Sequence, residues 1–258
     1  MESHEFLHQI WYVLVIPLGS EIEITFTLDG NCQLLFDLSY CSEVAYAVPS
    51  NPKTFPNIED LKKLYDDNAR NLSQNFSYSL QQIPCNTSSS AQYSLARNCD
   101  DCAAAYKTWL CAVTIPRCYD FSSNMTYLQP RNVAQDFING TSPSASSDLS
   151  FSPINQSTVY MNSSRNSLID TNIKPGPYKE VLPCQDLCYT LVQSCPAALG
   201  FACPLRNRGL EWSYGVRDTS GAITCSFPGA AYFLSEAGRR GISGMTFIFA
   251  VFAALWTL

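Results

Sequence analysis

"PCQDLCYTLVQSCP", residues 183–196, places three cysteines in fourteen residues of an otherwise amphipathic pattern. At about 100° per residue, Cys184, Cys188 and Cys195 fall within about 40° of one another on a helical wheel, and Leu191 lies on the same stripe. One face of the expected helix is therefore sulfur and leucine. Such a face can grip a metal, hold a reactive thiol or be stapled to distant parts of the chain.

The remaining composition decides among these. The chain has 258 residues, 46% of them hydrophobic, enough for one large domain or two small ones around a core. A net charge of -6 gives no electrostatic reason to seek nucleic acid or an anionic lipid surface, so no nucleic-acid partner is expected. The 12 cysteines run from Cys32 to Cys225, far more than a reducing cytosol tolerates without metal. Zinc would need paired knuckles. There is a single C-x2-C, Cys99 to Cys102, and both histidines, His4 and His8, lie far away at the N-terminus. A redox role for that pair is disfavoured as well, because Asp100 and Asp101 between the thiols oppose thiolate formation. Disulfides are the expectation, with no metal, no cofactor and no catalytic residue.

Asn71, Asn75, Asn86, Asn124, Asn139, Asn155 and Asn162 each begin an N-x-S/T sequon and are the candidate glycosylation sites. Together with the cysteines they direct the chain into the secretory pathway, through the endoplasmic reticulum.

The C-terminus, "GISGMTFIFAVFAALWTL", is apolar from Ile242 to Leu258. Seventeen residues at about 1.5 Å each barely cross a bilayer core. Upstream lie Gly229, Ala230 and Ala231, then a spacer with Ser235, Glu236, Arg239 and Arg240. Small residues, polar spacer and apolar tail are the order needed to exchange the tail for a glycolipid anchor, with Gly229 as attachment point. Residues 229–258 are thus expected to be an anchor signal, a retained membrane helix being the alternative. A cytosolic tail anchor would leave the cysteines and sequons in the wrong compartment.

At the other end, "IWYVLVIPLGS", residues 10–20, could serve as the apolar part of a signal peptide, but Glu2, Glu5 and two histidines precede it where basic residues are expected, and the alternative is a buried strand. "EIEITFTL", residues 21–28, alternates Ile22, Ile24, Phe26 and Leu28 with polar residues, the pattern of a half-buried strand. Residues 1–30 are therefore expected to be a short N-terminal β segment, the remnant of a larger region carrying the signal.

Between the ends, "NIEDLKKLYDDNARNL" from Asn57 reads as a helix capped by Asn57, with Ile58, Leu61, Leu64, Tyr65 and Leu72 at helical spacing. "DCAAAYKTWLCA", residues 101–112, is a second helix. Its Cys102 and Cys111 are about 180° apart, so it must be tied on both faces. The Ser/Asn-rich stretch 139–173, closed by Pro175 and Pro177, shows little periodicity and is expected to be a disordered, glycosylated insertion.

The cysteine spacings are specific. Cys102-x8-Cys111-x6-Cys118, containing "WLCAVTIPRC", followed by "LPCQDLCYTLVQSCP", resembles the cysteine-rich domain of Frizzled receptors, and "CQLLFDLSYCSEVAYAVPSNP" resembles its start. The resemblance implies a mainly α, disulfide-rich domain over residues 31–228. It also implies bridges Cys32 to Cys118, Cys41 to Cys111, Cys102 to Cys195, Cys184 to Cys225 and Cys188 to Cys203, with Cys85 and Cys99 left as an extra pair. After Cys195 the spacing departs from the Frizzled pattern, so an exchange of the last two bridges stays open.

More closely, "CDDCAAAYKTWLCAVTIPRC", "PGPYKEVLPCQDLC", the Ser/Asn insertion and the apolar tail together resemble the fungal stretch-activated calcium-influx regulatory subunits of the yeast mating-induced-death type. That family is similar to an animal auxiliary subunit of the sodium-leak channel. The resemblance, over roughly residues 21–231, implies a non-catalytic regulatory subunit on the outer face of the plasma membrane. Its implied partner is the pore-forming subunit of a four-repeat, voltage-gated-type calcium channel.

One terminal apolar segment offers no route to a pore, so the contribution must come from outside the membrane. The candidate contact surface lies between Cys203 and Cys225, where Trp212 and Tyr214 stand in a Gly-rich loop with Arg206, Arg208 and Arg217. The alternative for Trp212 and Tyr214 is a core position beside disulfides. A second function class is a cell-surface lipid- or small-ligand-binding receptor of Frizzled type, resting on fold analogy. An enzyme finds no G-x-S-x-G, H-E-x-x-H or phosphate loop.

Overall fold

The Asn57 side chain accepts from the Glu59 amide at 3.1 Å and starts the longest helix, α1, Ile58–Leu80. The computed structural model describes residues 30–83, 85, 97–143, 161–219 and 222–229. α1 runs past the expected end. Leu61, Tyr65, Ala69, Phe76 and Leu80 form its buried stripe, while Leu72, which the spacing assigned to that stripe, is exposed. Asp66 is also buried on α1. Its carboxylate accepts from the Tyr40 and Cys41 amides at 2.8 Å each and from Arg70, and so pins the loop that carries Cys41.

α2, Cys99–Thr114, opens with a reciprocal cap in which Asn98 and Asp101 each accept from the other's backbone. Its cysteines leave in different directions. Cys102 bonds to Cys195 and Cys111 to Cys41, while Cys99 at the first turn bonds to Cys85. α3, Gln185–Ser194, is the helix of the opening motif, and Cys184 and Cys195 sit at its caps with Cys188 and Leu191 buried between. A short helix, α4, covers Leu210–Ser213.

The strands are short. β1, Cys32–Leu35, pairs antiparallel with β2, Tyr46–Pro49; β3, Arg117–Tyr119, and β4, Leu128–Arg131, flank a central β5, Tyr178–Val181, both antiparallel. The fold is therefore mixed α/β and disulfide-rich, not mainly α. Segments of three or four residues such as "RCY" and "YKEV" are too short to carry a period-2 signal, and the pairing that stabilises them comes from residues far away in sequence.

The main core joins the two sides of the sheet hairpin to α1: Leu35, Val44, Val48, Leu61 and Tyr65 pack with Ile115, Ile169 and Ile173. Two buried tyrosines satisfy their hydroxyls on backbone, Tyr65 donating to Pro49 O at 2.7 Å and Tyr46 to Ile115 O at 2.8 Å. A second cluster stacks Phe76 on Tyr106, ring centroids 3.7 Å apart, beside Cys85 and Cys102.

The stretch 139–173 needs correction over residues 161–173. Ile169 and Ile173 lie in a π-helical turn at 0% exposure within the main core. Polar side chains order it, contrary to what low hydropathy suggests. Asn132 donates to Ser164 and Asp170, the Ser164 amide donates to Asp170, and Asn166 donates to Thr114 O. Residues 144–160, the N-terminal residues 1–29 and the tail 230–258 lie outside the described residues, and the expectations for them with them.

Candidate interaction surface

All six bridges converge on holding loops against this body. Cys32–Cys118, Cys41–Cys111, Cys102–Cys195, Cys184–Cys225, Cys188–Cys203 and Cys85–Cys99 are formed, the pairs that the Frizzled-type connectivity implies, with Cys184 bonded to Cys225 and not to Cys203. No described cysteine is free.

Two of these bridges set the segment 203–225 on α3. Cys188 fixes its start and Cys184 its end. Backbone bonds add to them: the Gly215 amide donates to Pro183 O, the Gln185 amide to Gly215 O and the Cys184 amide to Ser226 O, each at 2.9 Å. Gly215 is required here, because a Cβ on it would stand 2.8 Å from the Cβ of Cys225 and obstruct the bridge. No sequence pattern announced this close approach.

Within the segment, residues 205–212 curl into one turn. Leu205 O accepts from the Arg208 and Leu210 amides, and Glu211 accepts from the Asn207 amide at 2.9 Å, a bond that holds the Glu211 carboxyl below its ordinary value. Gly209, at φ +107°, supplies the left-handed residue from which α4 starts. The turn leaves Leu205, Arg206 and Arg208 exposed, and Trp212 is 40% exposed. Trp212 is thus outside the core. Tyr214 is half-buried and its hydroxyl accepts from Trp109 Nε1 at 2.9 Å, which anchors the loop to α2. Arg217 is exposed on the same surface, but its side chain is engaged, bonded to Asp186 at 2.7 Å with its guanidinium 3.8 Å from the Phe227 ring centroid. The five candidate residues therefore divide: Arg206, Arg208 and Trp212 face out, and Tyr214 and Arg217 hold the loop in place.

Beneath this loop lies a buried ionic cluster. Glu180 on β5, at 0% exposure, accepts from Arg131 Nε and from Arg165 Nε, the latter at 2.7 Å, and Arg165 also donates to Ser213 O. Burial alone would raise the Glu180 carboxyl, but the two guanidiniums and their hydrogen bonds outweigh it and hold the group below the ordinary carboxylate value. The cluster joins β4, β5, the 161–173 segment and α4. An open cleft of about 490 Å³ beside it is lined by Trp109, Arg165, Pro204 and Tyr214.

The described sequon asparagines, Asn71, Asn75, Asn124, Asn139 and Asn162, are all exposed, and no sequon follows Asn162. Asn86 and Asn155 lie outside the described residues. Gly229, the last described residue, is half-buried and its amide donates to Glu43 O at 2.7 Å. Among the described residues no helix is long and apolar enough to cross a membrane, and no cluster of side chains suited to a metal occurs.

A small body stapled by six disulfides, presenting aromatic, aliphatic and arginine side chains on one braced loop, has the construction of a binding module of an oxidising compartment. Residues 18–231 match the Mid1 family model, described as a stretch-activated Ca2+-permeable channel component, and the chain belongs to that family. This is a family of channel components, not of enzymes. The chain is similar to the stretch-activated cation channel yam8 of Schizosaccharomyces pombe, 46% identical over 228 residues covering 87% of this chain and 40% of that protein. It is also similar to the stretch-activated cation channel MID1 of Saccharomyces cerevisiae, 35% identical over 216 residues, 82% of this chain and 34% of that protein. The chain thus spans two-fifths or less of the length of these curated relatives. No solved structure matches.

Proposed function

We propose that this chain is the disulfide-braced module of a stretch-activated, Ca2+-permeable channel component, and that it acts by binding extracellular loops of a separate pore-forming subunit of the four-repeat calcium-channel type. The observation that carries this reading is the family match over residues 18–231, which takes in every described residue. Preferential binding to the assembled or conducting pore stabilises that state by the difference in affinity. The contact surface is the loop with Leu205, Arg206, Arg208 and Trp212, since aromatic and arginine side chains on a rigid support are common interface anchors. No sequon lies within residues 203–225 itself.

The same reading carries the localisation: the endoplasmic reticulum during secretion, then the outer face of the plasma membrane, with sugars at the seven sequons and attachment by a glycolipid at Gly229 or by a retained terminal helix. The cysteine connectivity supports kinship with Frizzled-type domains. A lipid-holding role finds less support, since the clefts beside Asn71 and beside Trp109 are both open to solvent. Co-purification with a pore subunit from fungal membranes in mild detergent tests the proposal; clean separation of the two rejects it.

A further inference from the structure

A shallow, open groove of about 380 Å³ runs along the outer side of α1. One wall is a helical stripe, Asp60, Lys63, Leu64, Asp67, Asn68 and Asn71, on one side of the helix; Phe55 and Leu168 form the other. Asn71, a lining residue, is itself the acceptor of the sequon Asn71-Leu72-Ser73.

We propose that this groove is the seat of the N-acetylglucosamine attached to Asn71, so that the first sugar is a packed structural element bridging α1 to the 161–173 segment. The inference rests on the secretory reading of the sequons. A glycan on Asn71, an exposed residue of the lining, begins at the groove's edge, so the first sugar is the candidate occupant by covalent attachment. The lining suits the chemistry: the acetamido methyl and the C–H face of the pyranose meet Phe55, Leu64 and Leu168, all partly buried. The ring hydroxyls meet Asp60 and Asn68, whose side chains have no hydrogen bond or ion pair within the described residues, and Asp67, whose contact to Arg70 is a long 3.4 Å. Asn75, one turn further along α1, does not line the groove and serves as an internal control. A seated sugar also withdraws this face from protein contact.

The test uses the secreted chain from a glycosylating host. Intact-glycopeptide mass spectrometry first establishes occupancy of each sequon. Trimming the folded protein with endoglycosidase H, which leaves one sugar, is expected to leave its melting temperature unchanged, whereas complete removal with peptide N-glycosidase F lowers it. Ser73→Ala, which abolishes the Asn71 acceptor without altering the lining, is expected to melt about 2–4 °C lower, the shift that about 1 kcal/mol produces in a domain of this size. Ser77→Ala, which abolishes the Asn75 acceptor, is expected to melt with the parent. Equal melting of Ser73→Ala and a parent occupied at Asn71 would overturn the seat, as would equal losses in both variants. A bare Asn71 beside occupied sequons also overturns it while leaving the secretory reading intact; a chain with every sequon bare overturns that reading itself.

Discussion

Trp109 and Tyr214, 105 positions apart in sequence, meet through a single hydrogen bond from the indole nitrogen to the phenol oxygen. It is the side-chain tie between α2 and the loop that presents Arg206, Arg208 and Trp212. Tyr214→Phe strands the half-buried indole donor, and a cost of about 1 kcal/mol is expected. Urea unfolding with the disulfides intact measures it, and hydrogen exchange of residues 205–215 should rise in the variant.

The Glu180 cluster predicts an acid dependence with a definite sign. Its folded-state pKa lies below the ordinary value of about 4.3, so its contribution is fully present above that value and is lost as pH falls through the folded pKa. Glu180→Gln leaves two guanidiniums without their counter-charge. A loss of about 3–5 kcal/mol at neutral pH is expected, the range for breaking a buried pair. Melting temperatures from pH 7 to pH 3 should fall at the acid end for the parent and change less for the variant. Parallel curves would show that Glu180 does not supply the acid sensitivity.

Cys102–Cys195 closes the longest loop of the six, with a separation of 93 residues, and links α2 to the end of α3. A bridge is worth about 2–4 kcal/mol against a typical domain stability of about 5–15 kcal/mol. Cys102→Ser and Cys195→Ser each also leave an unpaired thiol during secretion. Both variants are expected to be retained in the endoplasmic reticulum. Surface biotinylation at parental levels would contradict this.

If the 203–217 loop is the partner contact, Trp212→Ala and the pair Arg206→Glu, Arg208→Glu should weaken association with the pore subunit without impairing export, since all three side chains point into solvent. A loss of at least tenfold in affinity corresponds to about 1.4 kcal/mol, within the range of an anchor residue. Quantitative co-precipitation at matched surface expression reads the effect.

The sequence carried the helices and the covalent frame further than the sheets. Cys102 and Cys111 on opposite faces of a helix implied two separate tethers, and Asn57 marked the true start of α1. The strands around Tyr178–Val181 were hidden because their order comes from long-range pairing, and the central strand buries a charge, Glu180, that no hydropathy pattern would place inside. Ile169 and Ile173 were hidden in a Ser/Asn-rich context, where hydrogen bonds from Asn132 and Asn166 supply the order that apolar area does not. At the candidate surface, the aromatic and arginine composition of the loop was legible. The division into outward Trp212, Arg206 and Arg208 and tethered Tyr214 and Arg217 was not, since it depends on Trp109 and Asp186 from other elements.

The most direct measurement is hydrogen–deuterium exchange of this chain, free and bound to the pore subunit in detergent. The account predicts protection on binding across residues 205–217, with the α1 face around Asn71 unchanged. Protection confined to the α1 face, or none within 205–217 in a complex that remains intact, would contradict it.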